Sequence, residues 1–233
     1  MTFPRLLDSL LWLFYPPRCL VCDRQLIDDE QFVCFHCLCD LPNAYYHRQT
    51  DNPLAALYAG IPQMVGAAAF LRYEKEGSVQ TLIHDFKYNN NRSLAEYLGR
   101  MAVSEMADDG IFEGVDFLAP VPLHRKKERQ RGYNQSLLIA RGMSAVSRIP
   151  VRDDILVRKV YTLSQTRKSL YDRHLNTEDV FAARPFDDLQ GKHIMLVDDV
   201  VTTGATSIAC IEALTKANPN VRLSVFSLAS VAR

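Results

Sequence analysis

The chain has 233 residues, 48% of them apolar, enough to bury the core of one medium α/β domain with a small appendage or of two modest domains. Twenty-seven basic and 27 acidic residues cancel, which excludes an overall basic surface for nucleic acid and leaves only local patches. The same composition excludes global disorder.

Residues 1–15 are rich in Leu, Trp and Phe, are interrupted by Asp8, and carry no small-residue cleavage site. They are too short to span a bilayer, and the pattern predicts a short amphipathic helix packed on the body. With no secretory leader the expected compartment is the cytoplasm, where thiols stay reduced and clustered cysteines suit a metal better than disulfides.

Five of the six cysteines fall between positions 19 and 39. Cys19-x2-Cys22 and Cys34-x2-Cys37, eleven residues apart, have the spacing of a two-knuckle zinc ribbon. Each knuckle offers two thiolates to one tetrahedral zinc, with a short hairpin between them. So small a module depends on the metal for much of its folding free energy. The plain alternative, a set of unrelated thiols, explains the paired spacing poorly. His36 and Cys39 are near enough to compete for the fourth position, for which Cys37 ranks first. Four sulfur ligands leave no open coordination position, so this zinc is expected to be structural or an interaction platform.

Residues 41–63, with Pro42, Pro53 and Pro62, predict an irregular connector. A strand follows over 65–73, then helices over 78–88 and 93–106. Strands and helices alternate thereafter: a strand over 115–121, a helix over 134–146 with Asn134 near its N-cap, and a short strand over 154–157. A strand–helix–strand unit over 193–200, 205–216 and 221–228 completes the chain. Such alternation implies a mainly parallel sheet with helices on its faces. Between 158 and 189 no apolar periodicity persists, which predicts a long mobile loop. The polar run Gln165, Arg167, Lys168, Arg173 and Asn176 lies in it and reads equally as a closing lid or as incidental surface.

The basic block 120–136 follows a predicted strand and holds Arg125, Lys126, Lys127, Arg129 and Arg131 within seven residues. A solvated charge run is the plain reading. Its place between a strand and a helix of one sheet favours the carboxyl edge, where ligands collect in such folds. Pyrophosphate and the backbone of single-stranded nucleic acid both call for such charge, and the choice stays open. Arg125 and Arg131 are the preferred pyrophosphate contacts.

The most specific stretch runs from Ile194 to Thr206. Apolar residues 194–197 deliver Asp198 and Asp199, and Val200-Val201 lead into Thr202-Thr203-Gly204-Ala205-Thr206 at the start of a helix. A strand ending in such a turn holds an anion against free backbone N–H groups. The adjacent acids can hold sugar hydroxyls or a divalent metal sharing the anion's charge. Neither G-x-x-x-x-G-K-[ST] nor G-x-G-x-x-G occurs, which disfavours P-loop hydrolysis and Rossmann-type dinucleotide binding.

This thirteen-residue run resembles the phosphoribosyl pyrophosphate (PRPP) signature of type I phosphoribosyltransferases. The resemblance implies that Asp198 and Asp199 hold the ribose, and that Thr202, Thr203, Gly204, Ala205 and Thr206 cradle the 5′-phosphate with Mg²⁺ present. Further matches narrow it: Pro16-Pro17-Arg18-Cys19, the paired cysteines, Phe86-Lys87-Tyr88, the Pro120-Val121-Pro122-Leu123 to Arg131-Gly132-Tyr133-Asn134-Gln135-Ser136 block, and Gln165, Arg173 and Asn176. Together they resemble the ComF family of competence-associated proteins, with Cys39 as an extra thiol. The resemblance implies a type I phosphoribosyltransferase-like parallel α/β sheet with helices on both faces and an N-terminal zinc ribbon. Its divisions are expected at 1–45 and 60–233, with a hood over 65–87. It implies uptake or utilisation of single-stranded DNA, with a DNA-uptake helicase or competence proteins as partners. Three readings compete: a transferase of unknown acceptor, a DNA-binding adaptor that senses PRPP, and a nucleobase-salvage enzyme. The ribbon and the basic block favour the first two. No residue stands out as a general base.

Overall fold

The structure, a computed structural model, describes residues 16–27, 29–123, 125–159 and 180–231. The expected helix over 1–15 and nearly all of the expected lid lie outside these. In chain order come helices α1 (Phe35–Cys39) and α2 (Pro53–Ala56), strand β1 (Met64–Arg72), and helices α3 (Ser78–Tyr88) and α4 (Arg92–Met106). Then follow β2 (Phe117–Pro120), α5 (Arg125–Arg131), α6 (Gln135–Ser147), β3 (Leu156–Arg158), β4 (Phe181–Ala183), β5 (His193–Val201), α7 (Ala205–Ala217) and β6 (Arg222–Ser230). No helix among the described residues is long and apolar enough to cross a membrane.

Strands β1, β6, β5 and β2 form one sheet in that order, every pair parallel. A parallel bridge from Leu118 to Val151 extends its β2 edge. Strands β3 and β4 pair separately and antiparallel. Alternation along β5 sends Met195 and Val197 into one core and Ile194 and Leu196 into the other, as the two-residue period of a strand requires. The first core joins the sheet to α3, α4 and α6 through Leu82, Phe86, Leu94, Leu98, Ile139 and Met143. The second joins it to α7, β3 and β4 through Cys210, Leu214, Leu156 and Phe181. A central strand buried on both faces explains the unbroken apolar run that precedes the acid pair.

Asn134 fixes the entry to α6. Its side-chain oxygen accepts from the Ser136 N–H (3.0 Å), and its amide donates to the Val121 carbonyl just beyond β2 (3.1 Å). Helices α4 and α6 meet at Gly99 and Gly142, where an added Cβ would overlap the Ile139 and Glu96 carbonyls respectively. Gly142→Ala is expected to destabilise the protein by about 2 kcal/mol, a clash of about 3 offset by about 1 of helix propensity. A lowered urea midpoint at unchanged m-value checks it.

Four expectations change. The connector 41–63 is partly ordered, with a 3₁₀ turn (Tyr46–Arg48) and α2, and it buries Leu54 and Tyr58 in the second core. The supposed hood strand is β1, an edge of the main sheet, because its Ala67–Leu71 run is buried like an inner strand. The basic block is helical as α5, since Arg, Lys, Glu and Gln are all good helix formers. Part of the supposed loop 158–189 forms β4, seated on α7 by Phe181.

Candidate functional site

Parallel pairing puts the ends of β2, β5 and β6 on one edge of the sheet, and the acid pair ends β5 there. Asp198 Oδ1 accepts from the Asp199 N–H (2.8 Å) and from Ser136 Oγ (3.3 Å). Asp199 Oδ2 is ion-paired to Lys87 Nζ, from the last turn of α3, at 2.8 Å. Burial and the neighbouring Asp199 charge push the Asp198 carboxyl up from 3.8 to about 7, against the pull of the Asp199 N–H, Lys87 and Ser136. Asp198 is therefore poised to ionise when a hydroxyl donor or a cation arrives.

The next turn presents Thr202, Thr203, Ala205 and Thr206 at the surface while Gly204 is buried. Gly204 has φ +75°, a left-handed conformation that side-chain-bearing residues rarely adopt, so this position favours glycine. Ser207 Oγ donates to the Gly204 carbonyl (2.9 Å) and lies 2.7 Å from the Tyr58 hydroxyl. Burial pushes that hydroxyl up to about 12, which keeps the brace neutral. The braced turn opens α7, whose first N–H groups face outward with no carbonyl one turn back.

The acid pair lines a cleft of about 180 Å³ with Lys87, Lys127, Arg131, Gln135, Ser136, Arg158 and, from the turn, Thr206, whereas Thr202 lines an adjoining cleft. Of the basic block, Lys127 and Arg131 face the cleft from successive turns of α5, whereas Lys126 and Arg129 are exposed elsewhere on that helix. The side chain of Arg125 lies outside the described residues. Arg131 donates to Gln135 Oε1 (3.1 Å), and the buried Gln135 Nε2 has no partner among the described residues. Arg158 lies over the Phe181 ring at 5.1 Å, with its buried Nε likewise unpartnered. Desolvation draws Arg158 down, while Cys210 and Asp198 hold it up. The wall is thus built to receive negative charge. Reading the sequence assigned no role to Arg158, a lone arginine ending a three-residue strand. Lys87 was visible only within the Phe86-Lys87-Tyr88 match.

A larger cleft, about 330 Å³, opens at the opposite edge of the sheet among His47, Asp109, His193 and Arg222. It is remote from the acid pair and plays no part in this chemistry.

At the N-terminal end, ligand atoms of Cys19, Cys22, Cys34 and Cys37 all lie within 4.8 Å of one another. The Cys22–Cys34 sulfur distance is 3.7 Å, close to the edge of about 3.8 Å that a tetrahedron with Zn–S bonds of ~2.3 Å requires. The Val21 and Cys34 N–H groups donate to Cys19 Sγ at 3.4 Å, the bonding a thiolate seeks. Burial raises the Cys19 thiol, but N–H groups of Cys34, Cys22 and Val21 outweigh it and set it at about 6. Cys37 moves upward through burial and its three thiol neighbours. Four sulfurs crowded this closely suit a dication. His36 turns away to Asp40 (3.1 Å), and neither it nor Cys39 falls within the group of four.

The family model for the phosphoribosyl transferase domain matches residues 134–232, from the α6 cap through the acid pair and turn to β6. Competence protein F of Haemophilus influenzae is 33% identical over 130 residues, 54% of this chain and 56% of that one. The DNA utilization protein YhgH of Escherichia coli O157:H7 is 30% identical over 150 residues (63% and 65%), and competence protein ComFC of Bacillus subtilis 32% over 111 (48% and 43%). The chain is similar to these ComF-type competence and DNA utilization proteins. It spans about half to two thirds of the length of these ComF relatives. The matched segment includes Ser136 on α6, Asp198 and Asp199 on β5, and the 202–206 turn. Lys87, Lys127 and Arg131 reach the same cleft from helices that precede it.

Proposed function

We propose that the cleft binds PRPP, or ribose 5-phosphate, together with Mg²⁺, in a protein serving uptake or utilisation of single-stranded DNA in the cytoplasm. The observation that supports this reading is one cleft holding two adjacent acids, Thr206 at the opening of α7, and four cations. Ionised Asp198 and Asp199 accept from the ribose hydroxyls and hold the sugar in place. The 202–206 turn takes the 5′-phosphate through N–H and hydroxyl donors. Lys127, Arg131 and Arg158 stabilise charge on the pyrophosphate as it leaves. Mg²⁺, when bound, neutralises part of that charge. The cysteine cluster holds structural Zn²⁺ in a module of residues 1–45, joined to a phosphoribosyltransferase-like unit of 60–233. The relatives' names support the link to competence and DNA utilisation, and competence proteins are the partners they suggest.

Helix α5 divides its charge between the cleft and solvent, with Lys127 and Arg131 on one side and Arg129 exposed on the other. That division favours DNA contact alongside ligand binding. The test is oligonucleotide binding across a salt series. Neutralising Arg125, Lys126, Lys127, Arg129 and Arg131 is expected to flatten the slope of log K against log salt by about 0.7 per lost contact. An unchanged slope removes α5 from the DNA surface. Pyrophosphate release from PRPP, screened with nucleobases, amines and DNA ends, then separates a transferase from a PRPP-sensing adaptor.

A further inference from the structure

The cleft of about 330 Å³ at the amino edge of the sheet lies where a parallel α/β fold ordinarily packs apolar side chains, since its ligands collect at the carboxyl edge. The sheet itself leaves the space open. Side chains of one face form rows across β1, β6 and β5, and the row of Ala68, Phe226 and Val197 is buried in the first core. The next row toward the amino edge is Gly66, Ser224 and Met195, followed by Arg222 beside His193. A Cβ added at Gly66 would meet nothing within 4 Å. Small and polar groups thus stand where large apolar ones would close the core.

Two buried imidazoles line this space, each anchored through Nε2 and each with an Nδ1 that has no hydrogen-bond partner among the described residues. His47, its side chain 6% exposed, lies 2.7 Å from Asp109 Oδ2, and Arg48 holds both oxygens of that carboxylate at 2.9 Å. A carboxylate only accepts, so Nε2 carries the hydrogen and Nδ1 of the neutral ring is left as an acceptor. His193 lies 2.9 Å through Nε2 from Ser224 Oγ. Burial and the Arg222 charge draw it down, against the pull of the Gly114 carbonyl and Asp116, so this ring is neutral at pH 7. A buried acceptor without a partner is costly, and a ligand that donates to it removes the cost. Among the described residues only the four cysteines bring three or more ligand atoms within 4.8 Å, so the imidazoles are not a preformed metal centre. Arg222 and Glu113 also line the cleft, both exposed, opposite in charge, and neither ion-paired among the described residues. Unlike charges kept apart at one opening match a zwitterion, whereas a phosphate dianion would meet Glu113. We propose that this cleft binds a free α-amino acid with a hydroxyl or amide side chain, its carboxylate on Arg222, its ammonium on Glu113 and its side chain donating to His47 Nδ1. The site is independent of the PRPP reading.

The test is calorimetry on the full chain at pH 8, titrating serine, threonine, asparagine and glutamine, with leucine, the N-acetylated amino acids and inorganic phosphate as controls. At least one hydroxyl or amide amino acid is expected to bind at millimolar concentration or below, with leucine, the acetylated forms and phosphate about tenfold weaker or more. Arg222→Gln and Glu113→Gln, both at exposed positions, are each expected to weaken that binding about 10- to 100-fold. PRPP titration of the Arg222→Gln protein is expected to match wild type, which separates the two sites. Three results each overturn the proposal: no amino acid binds, leucine or phosphate binds as tightly as the hydroxyl and amide amino acids, or binding survives both substitutions.

Discussion

Removing zinc with a chelator is expected to unfold residues 16–41 while the sheet stays folded. The segment contributes Leu26, Val33 and Leu41 to the first core, and Phe32 meets the Tyr97 ring edge-on at 5.4 Å. Burying three aliphatic side chains is worth about 6 kcal/mol. Ordering the backbone of such a segment costs on the order of 1 kcal/mol per residue, several times more. Knuckle hydrogen bonds such as Cys19 N–H to the Arg24 carbonyl (2.8 Å) contribute about 1 kcal/mol each. The deficit is of the size that structural zinc supplies in small modules, about 10–16 kcal/mol. Hydrogen exchange is expected to show 16–41 losing protection in the chelated protein and in Cys34→Ser, with β5 and β6 unchanged. A chelated protein that keeps 16–41 protected shows that packing alone holds the module.

The second large effect is at the acid pair. Asp198→Asn with Asp199→Asn is expected to weaken PRPP·Mg²⁺ binding about 100-fold, since hydrogen bonds to charged groups are worth ~1.5–3 kcal/mol each. The same change is expected to leave the fold intact, and Asp198→Asn alone to stabilise it at pH 8. The sign follows from Asp198, whose carboxyl is raised from 3.8 to about 7 in the folded protein. Between those values the folded state holds a proton that the unfolded chain releases, so the stability due to this group is full below pH ~4 and is lost as pH rises to ~7. Asparagine stays neutral and escapes that loss. Ligand binding needs the carboxylate, so wild-type affinity should climb toward pH 7, by at most about tenfold per unit, and then level off. Binding-site acids held at the expense of stability are a common trade.

Much of this was legible in the sequence where one local stretch carried the whole signal. The run 194–206 encodes a buried strand, two acids and a helix-opening turn within thirteen residues, and the structure has each in that place. The cysteine knuckles are local in the same sense, although closing four sulfurs into one cluster takes the 15-residue return from Cys19 to Cys34. What was hidden depends on packing between distant segments. Arg158 and Lys87 enter the cleft from β3 and α3, and nothing near either residue marks it as facing Asp198 or Asp199. The role of β1 depends on pairing with β6 some 150 residues later, which no local pattern reveals. Helix α5 could have been found, because its charged residues are strong helix formers. It was hidden by the lack of any apolar stripe.

The ribose assignment of the acid pair is the claim on which the rest depends. Isothermal titration of PRPP with Mg²⁺ into wild type and the Asp198→Asn/Asp199→Asn variant, at pH 6 and pH 8, tests it most directly. The expected result is wild-type binding that strengthens from pH 6 to pH 8, and a variant about 100-fold weaker at pH 8 that strengthens less over the same range. Equal affinity in the two proteins at both pH values would contradict it.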